Sequence, residues 1–139
     1  MKVTCGTVLG LLLSNASHAA TAHVFVSFSM PDRLLIDTLT DSARLGIPAT
    51  LNGLTHNSMM ETATKVGLLS NQVPNLNLQI DPTAFERFEI SQVPALVVEK
   101  NGCFDVIYGH LPLMEGLNRI SSHGACGFTM IELKGLAHE

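Results

Sequence analysis

Apolar residues recur along this chain at two spacings, and the spacing switches several times. Residues 23–28 hold Val24, Phe25, Val26 and Phe28, the near-continuous apolar run of a strand buried on both faces. Leu35, Ile36, Leu39 and Ala43 then recur at helical spacing, and Gly46 follows as a suitable residue just past a helix end. Residues 47–54 form a second apolar run, with Gly53 near its end. Ser58 and Glu61 make the Ser-x-x-Glu signature of a capping box, opening a helix through Ala63, Val66 and Leu69. Met59 and Met60 in that helix are expected in the core, with groove lining as the alternative. Pro74 stops the region. Leu76, Leu78 and Ile80 alternate with polar residues as a third strand, and Asp81-Pro82 caps a short helix to about residue 88.

Residues 93–99 are a fourth strand, with Pro94 at its start, where a missing N–H is tolerated. Asn101-Gly102 is a hairpin turn and residues 104–108 return as a fifth strand. Gly109 and Pro112 lead to a helix over residues 113–122 that Gly124 ends. The stretch from 125 to 139 reads either as a further strand over 128–133 or as an interaction tail. The resulting order is β-α-β-α-β-α-β-β-α. Alternating strands and helices imply an α/β domain with parallel pairs, and the hairpin adds an antiparallel edge. The fold class is therefore a mixed central sheet flanked by helices, in a single domain.

Composition supports this reading. The chain has 139 residues, 46% hydrophobic and 14% charged, enough apolar surface for one compact core. Net charge is −4 and the Lys and Arg residues are scattered, so no nucleic-acid partner is expected.

Residues 1–19 read as a signal peptide: Lys2 supplies the positive end and residues 8–13 a short apolar core. Cleavage is expected after residue 19 or after residue 22; the alternative is a buried N-terminal element. Cys5 precedes the apolar core, so it is not placed as a lipid-anchor cysteine. No other stretch is long and apolar enough to span a membrane, so none remains once the leader is removed. The expected destination is the oxidising periplasm of a Gram-negative bacterium. Loss of the leader leaves Cys103 and Cys126, an even pair that suggests one disulfide, with two buried thiols as the alternative. Their spacing is far from Cys-x-x-Cys, so the pair is read as structural.

Two short runs carry the functional signal. Ser27-Phe28-Ser29-Met30-Pro31-Asp32 follows the first strand, with Ser29 as an expected helix cap and Pro31 in the first turn. Ile90-Ser91-Gln92-Val93-Pro94-Ala95 leads into the fourth strand. From Ile80 to Ile120 the order of elements, the Val93-Pro94-Ala95 run, the Asn-Gly turn and Gly109 resemble the C-terminal half of a thioredoxin fold. That resemblance implies a cis bond before Pro94, against the trans form that base rates favour. It also places Met30 to Arg33 where such folds carry Cys-x-x-Cys. With no thiol there, exchange through a mixed disulfide is not available at that position.

A narrower resemblance covers more than half the chain. Residues Phe25 to Pro31, Gly53-Leu54, Gln79 to Phe85 and Val93 to Val98 resemble, in order, the TrbC family of type-F conjugative pilus assembly proteins. One departure is Asn52, where the family pattern has arginine. The resemblance implies a thioredoxin-like TrbC domain over residues 23–124 with a tail over 125–139. It further implies a periplasmic, non-enzymatic assembly factor of an F-type type IV secretion system, with a TraW-like protein and other F-type components as partners. The candidate docking surface is Ser29, Met30, Pro31, Val93 and Pro94; the alternative is that Met30 and Val93 only fill the core. Competing functions are a thiol–disulfide oxidoreductase and a general periplasmic chaperone or peptide-binding module. No catalytic residue, metal ligand set or cofactor is expected: His23, His56, His110, His123 and His138 lack ligand spacing.

Overall fold

A computed structural model of the chain describes residues 19–137; the expected leader, apart from Ala19, and His138 lie outside the described residues. Five strands form one sheet in the order β3-β2-β1-β4-β5. In chain order they are β1 (Thr21–Val26), α1 (Asp32–Leu45), β2 (Ala49–Leu51), α2 (Met59–Gln72), β3 (Leu78–Ile80), α3 (Pro82–Arg87), β4 (Ala95–Lys100), β5 (Cys103–Tyr108), α4 (Leu113–His123) and α5 (Met130–Lys134). β1, β2 and β3 run parallel, whereas β4 and β5 run antiparallel to their neighbours. The expected mixed sheet and the order of its first nine elements are therefore present. β1 begins at Thr21, so a cut after residue 22 would remove its first two residues, whereas a cut after 19 leaves it whole.

Val24, Phe25 and Val26 are fully buried, so the central strand contributes to both faces of the sheet. On one face Val24, Val26, Leu51, Leu96 and Val98 pack with Leu35 and Leu39 of α1, Leu69 of α2, Leu117 and Ile120 of α4 and Leu133 of α5. On the other face Phe25, Ala95 and Val97 pack with Ala84 and Phe85 of α3 and with Phe88. Gly46 ends α1 in the left-handed region at φ 69° and its N–H returns to Ala43. Asn101 and Gly102 both have positive φ, the geometry that closes a tight hairpin between twisted strands. Asp81 caps α3 by accepting from the Ala84 N–H; the Thr83 hydroxyl and that N–H hold its carboxyl below the usual range.

Five expectations need correction. Ser29 does not cap α1: the cap position is Pro31, and no side chain serves it. The second strand stops at Leu51 because the chain turns into a short 3-10 segment, Thr55–Asn57. Ser58 caps α2, but the Glu61 carboxylate turns to His56 (2.8 Å) instead of closing the box. Met59 and Met60 are exposed, because α2 buries only Thr62 and Leu69 fully. Residues 128–133 are neither a strand nor a loose tail. Thr129 and Glu132 form a complete capping box for α5, which packs on α4 and buries Phe128 and Leu133.

Cys103 and Cys126 are bonded. The bridge closes a loop with a sequence separation of 23, which on the chain-entropy model stabilises the fold by about 3 kcal/mol. Asp105 accepts from the Ala125 and Cys126 N–H groups (3.0 and 3.1 Å), and Lys100 pairs with Glu132. These contacts tie the C-terminal segment to the β4–β5 edge.

His23 lies 6.0 Å from the Phe88 ring and 3.7 Å from Glu99, which also pairs with Arg87. Burial lowers the His23 pKa below 6.5; Arg87 adds to this, while Glu99 and Asp81 oppose it. The folded protein therefore binds this proton less readily than the unfolded chain. Stability is unaffected above the unfolded value and falls as pH drops from about 6.5 through the lower folded value. We predict that His23→Gln flattens the pH dependence of urea midpoints in that window. An unchanged slope would assign it to other groups.

Candidate docking face

The face is built where β1 and β4 leave the sheet. Phe25 stands opposite Ala95 in the antiparallel ladder, so the segments before Pro31 and before Ala95 emerge at the same end. After Val26 the chain closes a compact turn. The Met30 N–H donates to the Ser27 carbonyl (3.1 Å), and the Ser29 N–H donates to Ser27 Oγ (3.1 Å). The two serine hydroxyls lie 2.8 Å apart, and the Ser27 N–H points to the Met30 sulfur at 3.5 Å. The hydroxyl of Ser29 is thus used within its own turn. α1 then starts without a side-chain cap, leaving first-turn N–H groups available.

The Val93-Pro94 bond is cis. The Pro94 carbonyl accepts from Gly109 at 3.0 Å, which fixes the start of β4 against the end of β5. Val93 is half-buried and touches both core clusters. Its own backbone makes no hydrogen bond among the described residues. It therefore presents an N–H and a C=O that an extended segment is able to pair with.

The structure brings Ser29, Met30, Pro31, Val93 and Pro94 to one end of the sheet, but not all onto its surface. Ser29 and Pro31 are exposed and Val93 is half-buried, whereas Pro94 and Met30 are buried, Met30 at 6% exposure. Met30 thus fills the core beneath the face. The cysteines lie at the other end: Cys103 pairs with Lys100, and Glu99 with Thr21 at the start of β1. The length of β4, roughly 17 Å at 3.4 Å per residue, separates the disulfide from the face.

Two clefts adjoin the face. One, of about 480 Å³, is lined by Ser27 to Ser29, Leu51 to His56 and Lys65. The other, of about 270 Å³, lies between α1 and α2 and is lined by Phe28, Asp32, Leu35, Ile36, Lys65, Leu68, Leu69 and Gln72. Lys65, which belongs to none of the motifs in the sequence, lines both. Its ammonium sits 5.2 Å from the centre of the Phe28 ring. No group of three or more His, Cys, Asp or Glu among the described residues is placed to hold a metal ion.

The sequence profile of the F-type TrbC family, described as type-F conjugative transfer system pilin assembly proteins, matches residues 24–118. The chain belongs to this family. Its similarity to a curated TrbC, a periplasmic protein of Escherichia coli (strain K12), is 39% identity over 102 residues. That alignment covers 73% of this chain and 48% of the relative, so the chain spans about half the length of the TrbC it matches. Like that relative, it is a periplasmic protein; no helix among the described residues is long and apolar enough to cross a membrane. A solved structure of MTB DsbF, in mixed oxidized and reduced forms, superposes with a TM-score of 0.54 at 16% identity. It covers 75% of this chain and 80% of that one, which shows a thioredoxin-like fold and nothing of its chemistry. The TrbC match runs through every segment that builds the face: residues 27–31, 52–54 and 93–94.

Proposed function

We propose that this TrbC-family chain is a non-enzymatic assembly factor of an F-type conjugation system, working by docking a partner at the face around Ser29, Pro31 and Val93. The partner is a TraW-like periplasmic component, which presents an extended segment to the open backbone of Val93. The observation that carries this reading is the pairing of the exposed Ser29 and Pro31 with an unpaired Val93 backbone beside cis-Pro94. The position that would hold a redox pair carries Met30 and Arg33, and the protein's disulfide lies at the opposite end of the sheet. The leader proposed over residues 1–19 delivers the chain to the periplasm, where the disulfide forms.

The test is capture of a purified TraW-like partner by the full mature chain and by Val93→Asp. A carboxylate at this half-buried position disrupts the apolar contact and repels approaching carbonyls. We expect binding at least about tenfold weaker, equivalent to about 1.4 kcal/mol, from a protein that is less stable but still folded under the assay conditions, which its urea midpoint checks. Undiminished binding by a folded Val93→Asp protein would remove the face from the account. Equal binding of unrelated unfolded polypeptides would instead make the chain a general chaperone.

A further inference from the structure

Lys65 differs from the other cations of the described residues. Arg33, Arg44, Arg87, Lys100 and Arg119 each lie within ion-pair distance of a carboxylate. Lys134 sits in the last turn of α5, where a helix end favours positive charge. Among the described residues Lys65 has no carboxylate partner; it lies over Phe28 and borders both clefts. Glu61 pairs with His56; Asp32, in the first turn of α1 where the helix N-terminus favours it, lines the α1–α2 cleft but is not within ion-pair distance of Lys65.

The clefts on either side of this cation differ in character. The α1–α2 cleft is walled by Leu35, Ile36, Leu68 and Leu69, and Leu68 is 59% exposed. The larger cleft is walled in part by Asn52, Gly53 and Leu54, and the backbone of Gly53 and Leu54 makes no hydrogen bond among the described residues. Thr55 on the same wall keeps a buried hydroxyl without a partner among the described residues. A Cβ added at Gly53 meets nothing within 4 Å, so this wall is open. Successive unpaired peptide groups suit an extended polypeptide, whose own N–H and C=O groups match them.

We propose that the two clefts form one groove for an extended acidic–apolar segment of a protein partner. Its carboxylate pairs with Lys65 and an apolar side chain enters the α1–α2 cleft. The proposal rests on the docking function above and names the chemistry that the partner segment must carry.

The experiment places a photo-crosslinking amino acid at Leu68, or at Ile131 near the disulfide as a control, in the full chain in conjugation-competent cells. Cross-linked segments are identified by mass spectrometry. The expected result is a Leu68 cross-link to a segment with Asp or Glu within about five residues of the attachment point, a reach of about 17 Å in extended chain. Lys65→Glu and Gly53→Val should each lower the yield about tenfold or more, and Lys65→Arg should retain it within about threefold. Gly53→Val fills open space, so it narrows the groove while leaving the fold intact, which the urea midpoint checks.

Yields unchanged in Lys65→Glu and Gly53→Val overturn the groove. If Val93→Asp still weakens partner capture about tenfold or more, the docking function survives that result; if capture is undiminished, both fall. Segments lacking an acid, or a small carboxylate seen by native mass spectrometry as a Lys65-dependent adduct, also overturn the proposal.

Discussion

Leu133→Ala is expected to destabilise the protein by about 2–5 kcal/mol, the range for deleting a fully buried leucine. Leu133 is the only fully buried residue of α5, a helix of five residues that is too short to persist without packing. Its neighbours hold the segment in place but do not fill that space. Asp105 fixes the backbone at Ala125 and Cys126, and the disulfide fixes Cys126 itself. Truncating Leu133 leaves those links intact and opens a cavity against α4. Urea unfolding under oxidising conditions measures the loss. A change below about 0.5 kcal/mol would mean that residues 128–137 are an appendage, as the sequence reading allowed.

The second large effect is at Phe88, 2% exposed and placed just after α3. Its ring meets Phe104 at 5.1 Å and Phe25 at 5.9 Å, both edge-on, and the Arg87 guanidinium lies 4.3 Å from its centre. Phe85 completes the cluster, 4.9 Å from Phe25. α3 has six residues and depends on these rings to stay on the sheet. Phe88→Ala should therefore cost about 3–5 kcal/mol, with edge-to-face pairing adding to simple burial. Because residues 89–94 run from Phe88 to cis-Pro94, amide exchange should also quicken in that loop. A leucine at the same position should recover part of the stability and none of the ring-edge contacts. If Phe88→Ala costs less than about 1 kcal/mol, α3 is held by something other than this cluster.

What the sequence made legible divides along physical lines. β1, α1, the Asn101-Gly102 hairpin and the Asp81 cap are local signals, set by residues a few positions apart, and each is present, though β1 lies two residues earlier than expected and α1 begins after Pro31 and not after Ser29. The disulfide followed from cysteine parity in an exported chain, and the cis bond before Pro94 from resemblance. Met59 and Met60 were misplaced because a capping box marks where a helix starts, not which face it buries. The face is set by what α2 leans on, through Thr62 and Leu69. Ser29 was read as a cap from its type and position. The chain uses it instead within the Ser27–Met30 turn, and Pro31 starts the helix with its fixed φ of −52°.

α5 was missed although a signal for it existed. Thr129-Met130-Ile131-Glu132 carries the same Thr/Ser-x-x-Glu pattern that was recognised at Ser58. The groove was legible only in part. Gly53-Leu54 and the turn at Ser27 carried the family resemblance, but their common cleft depends on β1 and β2 lying side by side. Lys65 gave no signal at all, since an exposed lysine on a helix is ordinary until the cleft beside it is known.

The central claim is that a thioredoxin-like scaffold of the TrbC family works here as a docking module through the end of its sheet away from the disulfide. Hydrogen–deuterium exchange of the oxidised chain, alone and with the proposed TraW-like partner, tests this most directly. The account predicts slowed exchange over residues 27–34, 52–55 and 92–93, with residues 101–105 and 125–134 unchanged. Protection confined to those last two segments, at the disulfide end, would contradict it.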